Sequence, residues 1–280
     1  MTPKRIFCPL GLDHTEDQIG RIVELADRSD AHLTVPLIEA LPPTPPVMEV
    51  PISEELAAKI QAVHSRASVR AREFEEMLHR KGLSAEVVPV VCEAYEIGHR
   101  IGWHGRFADV AIVAAAFHSA PKIGHRIVSG LLFESGKPVL VEPPAHPGVP
   151  LDFSPAKVLI AWDGGLASSR AVAHAISLLQ SSTEVHIVCI DLDVNDSLSS
   201  RSEGWELADY LSRHSLNVTV TELSAGGLAI DAVLNRHATE VGVDLIVMGG
   251  FGHSRLRNWV LGSTTRSMLS SCVVPVLMAH

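Results

Sequence analysis

Val243-Asp244-Leu-Ile-Val-Met-Gly-Gly250 is a short apolar run opened by an acidic residue, and the chain contains its counterpart, Ala108-Asp109-Val-Ala-Ile-Val-Ala-Ala115. A run this short and this apolar reads as a strand buried on both faces. Outward from it, the correspondence continues. Lys157-Val-Leu-Ile-Ala-Trp-Asp163 begins the second half as Lys4-Arg-Ile-Phe-Cys-Pro-Leu-Gly-Leu-Asp13 begins the first. Lys137-Pro-Val-Leu-Val141 corresponds to Val274-Pro-Val-Leu-Met278. Between the copies, Pro143-Pro-Ala-His-Pro-Gly-Val-Pro150 is too rich in proline for helix or central strand and reads as a stiff linker. The expected organisation is a domain over residues 1–144, a linker over 145–154 and a second domain over 155–280.

Within each copy, β-branched runs alternate with helical patterns. In the first half, strands are expected near Arg5–Leu10, Leu33–Ile38, Ala85–Val91, Val110–Ala114 and Val139–Val141. Helices fall near Thr15–Ser29, Ser53–Lys81, Tyr95–Phe107 and Ile123–Ser135. The second half repeats the order, with strands near Lys157–Ala161, Glu184–Ile190, Asn217–Glu222, Leu245–Met248 and Val274–Met278. The pattern predicts an α/β fold of two tandem, doubly wound, five-stranded parallel-sheet domains. Ligands of such folds sit at the carboxyl ends of the strands.

Composition narrows the function. Hydrophobic residues make up 46% and charged residues 20% of the 280, the balance of a folded chain. With 23 Lys and Arg against 32 Asp and Glu, the net charge is −9 and both halves are acidic, which argues against a nucleic-acid partner. No apolar run approaches the roughly 18–20 residues of a membrane helix, and no export signal is visible, so a cytoplasmic location with no membrane partner is expected. Cys8, Cys92, Cys189 and Cys272 are far apart and read as buried thiols. The fifteen histidines show no zinc-type spacing, so no metal site is expected. Arg66, Arg70 and Arg72 are followed at once by Glu73, Glu75 and Glu76, a solvated helix face.

The chemistry concentrates in Met248-Gly-Gly-Phe-Gly-His-Ser-Arg-Leu-Arg-Asn-Trp-Val-Leu-Gly-Ser-Thr-Thr265, which contains Gly249-x2-Gly252-x9-Gly262-Ser263 directly after a strand. Gly249 and Gly252 permit a tight turn and close backbone approach of a ligand. Gly262, Ser263, Thr264 and Thr265 open the last helix, where free N–H groups, the helix dipole and hydroxyls form an anion site. The blander reading is a glycine turn followed by a capped helix. No Gly-Lys-Ser of the P-loop type occurs.

This segment resembles the nucleotide-binding loop of the universal stress protein family, Gly-x2-Gly-x9-Gly-Ser/Thr. The resemblance covers residues 157–278 by motif and residues 4–141 by layout alone, so the whole chain looks like a tandem universal stress protein. It implies a sheet order of 3-2-1-4-5 in each domain and ATP or another adenine nucleotide as ligand, with Mg²⁺ as its companion ion. It also implies pairing through the fifth strands around a pseudo-two-fold, within the chain or between chains as a homodimer. By that resemblance Asp163 lies beside the ribose, a turn or helix cap being the alternative. Backbone groups at Ile190 and Asp191 meet the adenine edge. Gly249, Gly252, Gly262 and Ser263 hold the phosphates, with Thr264 and Thr265 as further donors and His253, Arg255 and Arg257 as positive charge above them.

The first half departs from the pattern. Ala114, Ala115 and Phe117 stand where Gly249, Gly250 and Gly252 stand in the second, the loop is shorter, and no Gly-Ser pair follows it. The expectation is a nucleotide-binding regulatory protein of the stress-response type, with one ATP in the second half and a degenerate first site. No general base, metal cluster or activated nucleophile accompanies the loop, so no catalytic residue is assigned. A slow ATP hydrolase and a nucleotide-free interaction scaffold are the alternatives.

Overall fold

The computed structural model describes residues 2–41, 53–144, 151–191, 203–250 and 262–280. The chain divides into two compact units, Pro3–Ser135 and Gly136–His280. The fold is mixed α/β, with mostly parallel strands.

The first unit runs β1 (Arg5–Phe7), β2 (Leu10–Gly11), α1 (Glu16–Arg28), β3 (His32–Ala40), α2 (Glu54–Arg80), β4 (Ala85–Cys92), α3 (Ile97–Gly105), β5 (Val110–Val113) and α4 (Pro121–Gly130). A 3₁₀ turn, Ala115–Ser119, precedes α4, and a π-helical turn, Leu131–Ser135, follows it. Its strands lie in the order β4-β3-β1-β5, all parallel. The single strand expected over residues 5–10 is split because Pro9 has no N–H for the ladder. Register survives the break: Arg5 pairs with His32 and Leu10 with Leu37. Helix starts follow local chemistry. Thr15 N–H donates to the Gln18 side chain at 3.0 Å, Ser53 Oγ accepts from Leu56 N–H at 3.3 Å, and Lys59 pairs with Glu55 one turn back.

The helix expected over 123–135 ends at Gly130 and continues as the π turn. At that point α4 meets α3 backbone to backbone: a Cβ on Gly130 would collide with the Gly98 carbonyl, and one on Gly102 would lie 2.5 Å from Gly130 O.

The second unit runs β6 (Val139–Val141), β7 (Lys157–Ala161), α5 (Leu166–Leu179), β8 (Glu184–Ile190), α6 (Glu203–Ser212), β9 (Val218–Leu223), α7 (Ile230–Val241), β10 (Leu245–Gly249), α8 (Ser263–Ser271) and β11 (Val276–Ala279). Five parallel strands take the order β9-β8-β7-β10-β11, which is 3-2-1-4-5 in chain order. The strand β6, which closes the first copy in the sequence, lies antiparallel on β11, pairing Val141 with Val276 and Val139 with Met278. Consecutive residues of the central strands, Val158 to Ile160 and Leu245 to Met248, are all buried, so both sheet faces are covered.

The two copies share a device that sets the first strand against the fourth. Asp109 Oδ2 accepts from the N–H groups of Lys4 and Arg5 at 2.8 and 3.0 Å, and Asp244 Oδ2 accepts from those of Ala156 and Lys157 at 3.0 and 2.8 Å.

Candidate functional site

The carboxyl ends of β7, β8 and β10 and the N-terminus of α8 enclose a cleft of about 540 Å³ in the second unit. Of the residues singled out in the sequence, Asp163, Ile190, Asp191, Gly249, Gly262, Ser263, Thr264 and Thr265 line it together. Gly252 and His253, with Arg255 and Arg257, lie outside the described residues.

Each is placed by its element. Asp163 follows β7, where Gly164 turns the chain at φ +69°. Its Oδ1 accepts from Gly165 N–H at 3.0 Å and from Ser168 Oγ–H at 2.6 Å, which ties the strand end to the first turn of α5. The cap reading of Asp163 is therefore realised through this oxygen, while the residue also faces the cleft. Asp191 ends β8 in the left-handed region, φ +47°. Its Oδ1 accepts from Ser224 Oγ–H at 3.1 Å and Ala225 N–H at 3.0 Å, joining the ends of β8 and β9.

The two glycines of the loop that are described differ in what they make room for. At Gly249 a Cβ would stand 2.6 Å from Ser168 N and 2.9 Å from Ala167 C, so the close approach there is that of the protein's own α5. At Gly262 the nearest atom of the described residues to an added Cβ is Thr265 Oγ1 at 4.0 Å, so those residues leave that space open. Gly262 caps α8 with φ −54° and ψ 152°, and its carbonyl accepts from Arg266 N–H at 3.0 Å. Ser263, Thr264 and Thr265 form the first turn of α8, whose N–H groups point out of the helix start as at any helix N-terminus. No acidic side chain stands in that turn. Ser263 is exposed, Thr264 half-buried and Thr265 buried, so hydroxyls are graded from the rim inward.

Sequence reading missed the apolar wall. Val188, Ile230, Leu234 and Met248 line the cleft, with Trp162 beside them. The signal available was the apolar i,i+4 pair Ile230 and Leu234 at the start of α7, which reads equally well as ordinary core. Trp162 Nε1 is buried with no hydrogen-bond partner among the described residues. Burial pushes the Cys272 thiol up to about 12, so it stays protonated and inert. Among the described residues no group of three His, Cys, Asp or Glu could hold a metal ion, and no helix is long and apolar enough to cross a membrane.

Known proteins agree with this architecture. Residues 156–280 match the model of the universal stress protein family, so the second unit carries a universal stress protein domain. The universal stress protein Slr1230 of Synechocystis sp. is 31% identical over 142 residues, which span 50% of this chain and 46% of that protein, just under half its length. Over the whole chain, the fold is that of a universal stress protein from Archaeoglobus fulgidus (TM-score 0.69, 16% identity, covering 100% of this chain and 96% of that one). A Pseudomonas aeruginosa protein is also similar (TM-score 0.59, 15% identity, 99% and 93% covered).

Proposed function

We propose that the chain is a tandem universal stress protein, its domains at 1–144 and 155–280 joined by a linker over 145–154. In this reading it acts as a regulatory module that binds one adenine nucleotide, ATP, in the second domain. The observation that carries this reading is the cleft itself: an apolar wall, a helix N-terminus with three hydroxyls and the space that the described residues leave open above Gly262 face one another across about 540 Å³. That volume lies within the range of small-molecule sites. A base fits against Val188, Ile230 and Leu234 with its edge at the backbone of Ile190 and Asp191, sugar hydroxyls reach the carboxyl group of Asp163, and phosphates take the N–H groups and hydroxyls of Ser263 to Thr265. The glycine spacing of the loop, shared with the family's nucleotide loop, selects a nucleotide over other small anions. Mg²⁺ would arrive with the phosphates, since the cleft's described residues offer two carboxylates.

Each carboxylate has one oxygen committed to structural hydrogen bonds, Asp163 to the start of α5 and Asp191 to the residues after β9, which argues against either as a general base. The protein therefore holds ATP far longer than it turns it over, and its output is a change of conformation or partner. The test is the nucleotide content of protein purified without added ligand, followed by equilibrium titration with ATP. Absence of both would leave an interaction scaffold. A steady-state turnover within the roughly 1–10³ s⁻¹ of ordinary enzymes, lost in Ser263→Ala, would make the protein an ATP hydrolase.

A further inference from the structure

Trp162 belongs to two clefts of the second unit. One is the cleft of Asp163 and Ser263; the other, of about 400 Å³, lies between α5 and α6. Topology sets them apart. The steps β7–α5–β8 and β8–α6–β9 run one way across the sheet, and β9–α7–β10 and β10–α8–β11 run back. Right-handed crossovers therefore put α5 and α6 on one face and α7 and α8 on the other. The volume of the second cleft is also that of a small-molecule site.

Its wall divides by chemistry. Val172 and Leu207 are buried and, with Ala173 and Trp162, make the apolar part. Ser169, Glu206 and Tyr210 supply the polar part, Glu206 and Tyr210 sharing one side of α6 by their i,i+4 spacing. Tyr210 is 45% exposed, and its ring meets His214 edge to face with centroids 4.9 Å apart. The charge is one-sided. Glu206 is the one charged residue of the described wall, and it has no ion pair among the described residues. Neighbouring cations do not compensate it. Arg170, next to Ser169, stands outside the wall, and Arg213 faces Asp209 at 3.7 Å.

A carboxylate without a counter-charge, set at an apolar wall with two aromatic residues, selects its ligand. It repels phosphates and carboxylates. One carboxylate is too few for a hard metal ion, which takes several oxygens. A small hydrated cation leaves the apolar wall unused. An ammonium group on an apolar body uses both parts, since aromatic faces attract cations.

We propose that this cleft binds a small organic ammonium ion, its apolar body against Val172, Leu207 and Trp162 and its charged nitrogen beside Glu206 and Tyr210. The inference rests on α5, α6 and the end of β7, and is independent of nucleotide binding on the other face.

Saturation-transfer NMR on the full chain tests it with three probes of one shape: phenylbutylammonium, phenylbutanol and phenylbutanoate. The ammonium should bind with a Kd of about 1 mM, ordinary for a ligand of roughly a dozen heavy atoms. It should bind at least about fivefold tighter than the alcohol, with the carboxylate weakest. Glu206→Gln, at an exposed position, should bring the ammonium to the alcohol's affinity and leave the alcohol's unchanged. Ala173→Phe sets a ring into the cleft from an exposed helix position and should remove binding of both, with unchanged circular dichroism. No ammonium binding up to about 10 mM overturns the proposal, as does equal binding of the three probes. A preference for the ammonium that survives Glu206→Gln, or binding that survives in folded Ala173→Phe, overturns it as well.

Discussion

The ring of Phe117 lies 4.8 Å from that of His14, centroid to centroid, tilted by 57°. Phe117 is the residue that strand alignment sets at the place of Gly252, and it is buried. A 3₁₀ turn carries it straight after β5, and Gly124 packs so closely on it that an added Cβ would lie 3.3 Å from the Phe117 carbonyl oxygen. In the first unit, the Phe117 and His14 rings thus meet just beyond the ends of β5 and β2.

One nucleotide per chain is the expected consequence. Calorimetric titration of the intact protein should give a stoichiometry of about one, and Asp163→Ala should weaken that single event at least about tenfold, the worth of one lost charge-assisted hydrogen bond. A second event of similar affinity that survives Asp163→Ala would place a nucleotide in the first unit.

Gly262 and Gly249 should separate binding from stability. Gly262→Val adds a side chain to space that the described residues leave open, so the chain should fold with a wild-type urea midpoint and lose ATP binding. Gly249→Ala drives a methyl into the Ala167–Ser168 backbone and should cost about 1–3 kcal/mol of stability by overpacking. Equal denaturation midpoints for the two variants would contradict this division.

Ser168 is buried, and its hydroxyl lies 2.6 Å from Asp163 Oδ1 and 2.8 Å from Gly165 O. Ser168→Ala leaves the acceptor with Gly165 N–H and should destabilise the second unit by about 1–2 kcal/mol. By freeing the Asp163 side chain to turn, it should also weaken ATP binding, whereas Ser169→Ala on the exposed side of the same turn should do neither. Titration of both variants reads the difference.

Acid should weaken the fold through its histidines. Burial pulls His14 below the ordinary imidazole value, partly offset by its hydrogen bond to Gly11 and by the charge of Asp13. His104, His174 and His237 are also lowered, again chiefly by burial. The unfolded chain takes up these protons near pH 6.5 and the folded chain only at lower pH, so the unfolded state is favoured as pH falls through about 6.5. The contribution is complete above that value and levels off below the folded ones. Melting temperature should fall between about pH 7.5 and 5.5, and less so in His14→Gln. An equal fall in both proteins would remove His14 from the account.

The strand runs were legible in the sequence because burial on both faces demands uninterrupted apolar residues, as in Leu245 to Met248, while their order in the sheet was implied by the family resemblance. Repetition of those runs, with Asp109 and Asp244 at matching positions, carried the expectation of a duplication without any structure. The helix start at Gly262 to Thr265 was legible because few residue types are favoured at a helix N-terminus. Other features depend on contacts between segments far apart in the chain. Nothing in Gly249 itself says that Ala167 and Ser168 crowd it, and nothing in Ile230 or Leu234 separates a cleft wall from ordinary core. The division of Asp163 between capping and the cleft was decided by where α5 begins. The pairing of β6 with β11 meets the expectation that the family resemblance gave for the fifth strands, but no residue of Val139–Val141 specifies it, since a strand's backbone groups are the same in every sequence and the assembled fold selects their partner.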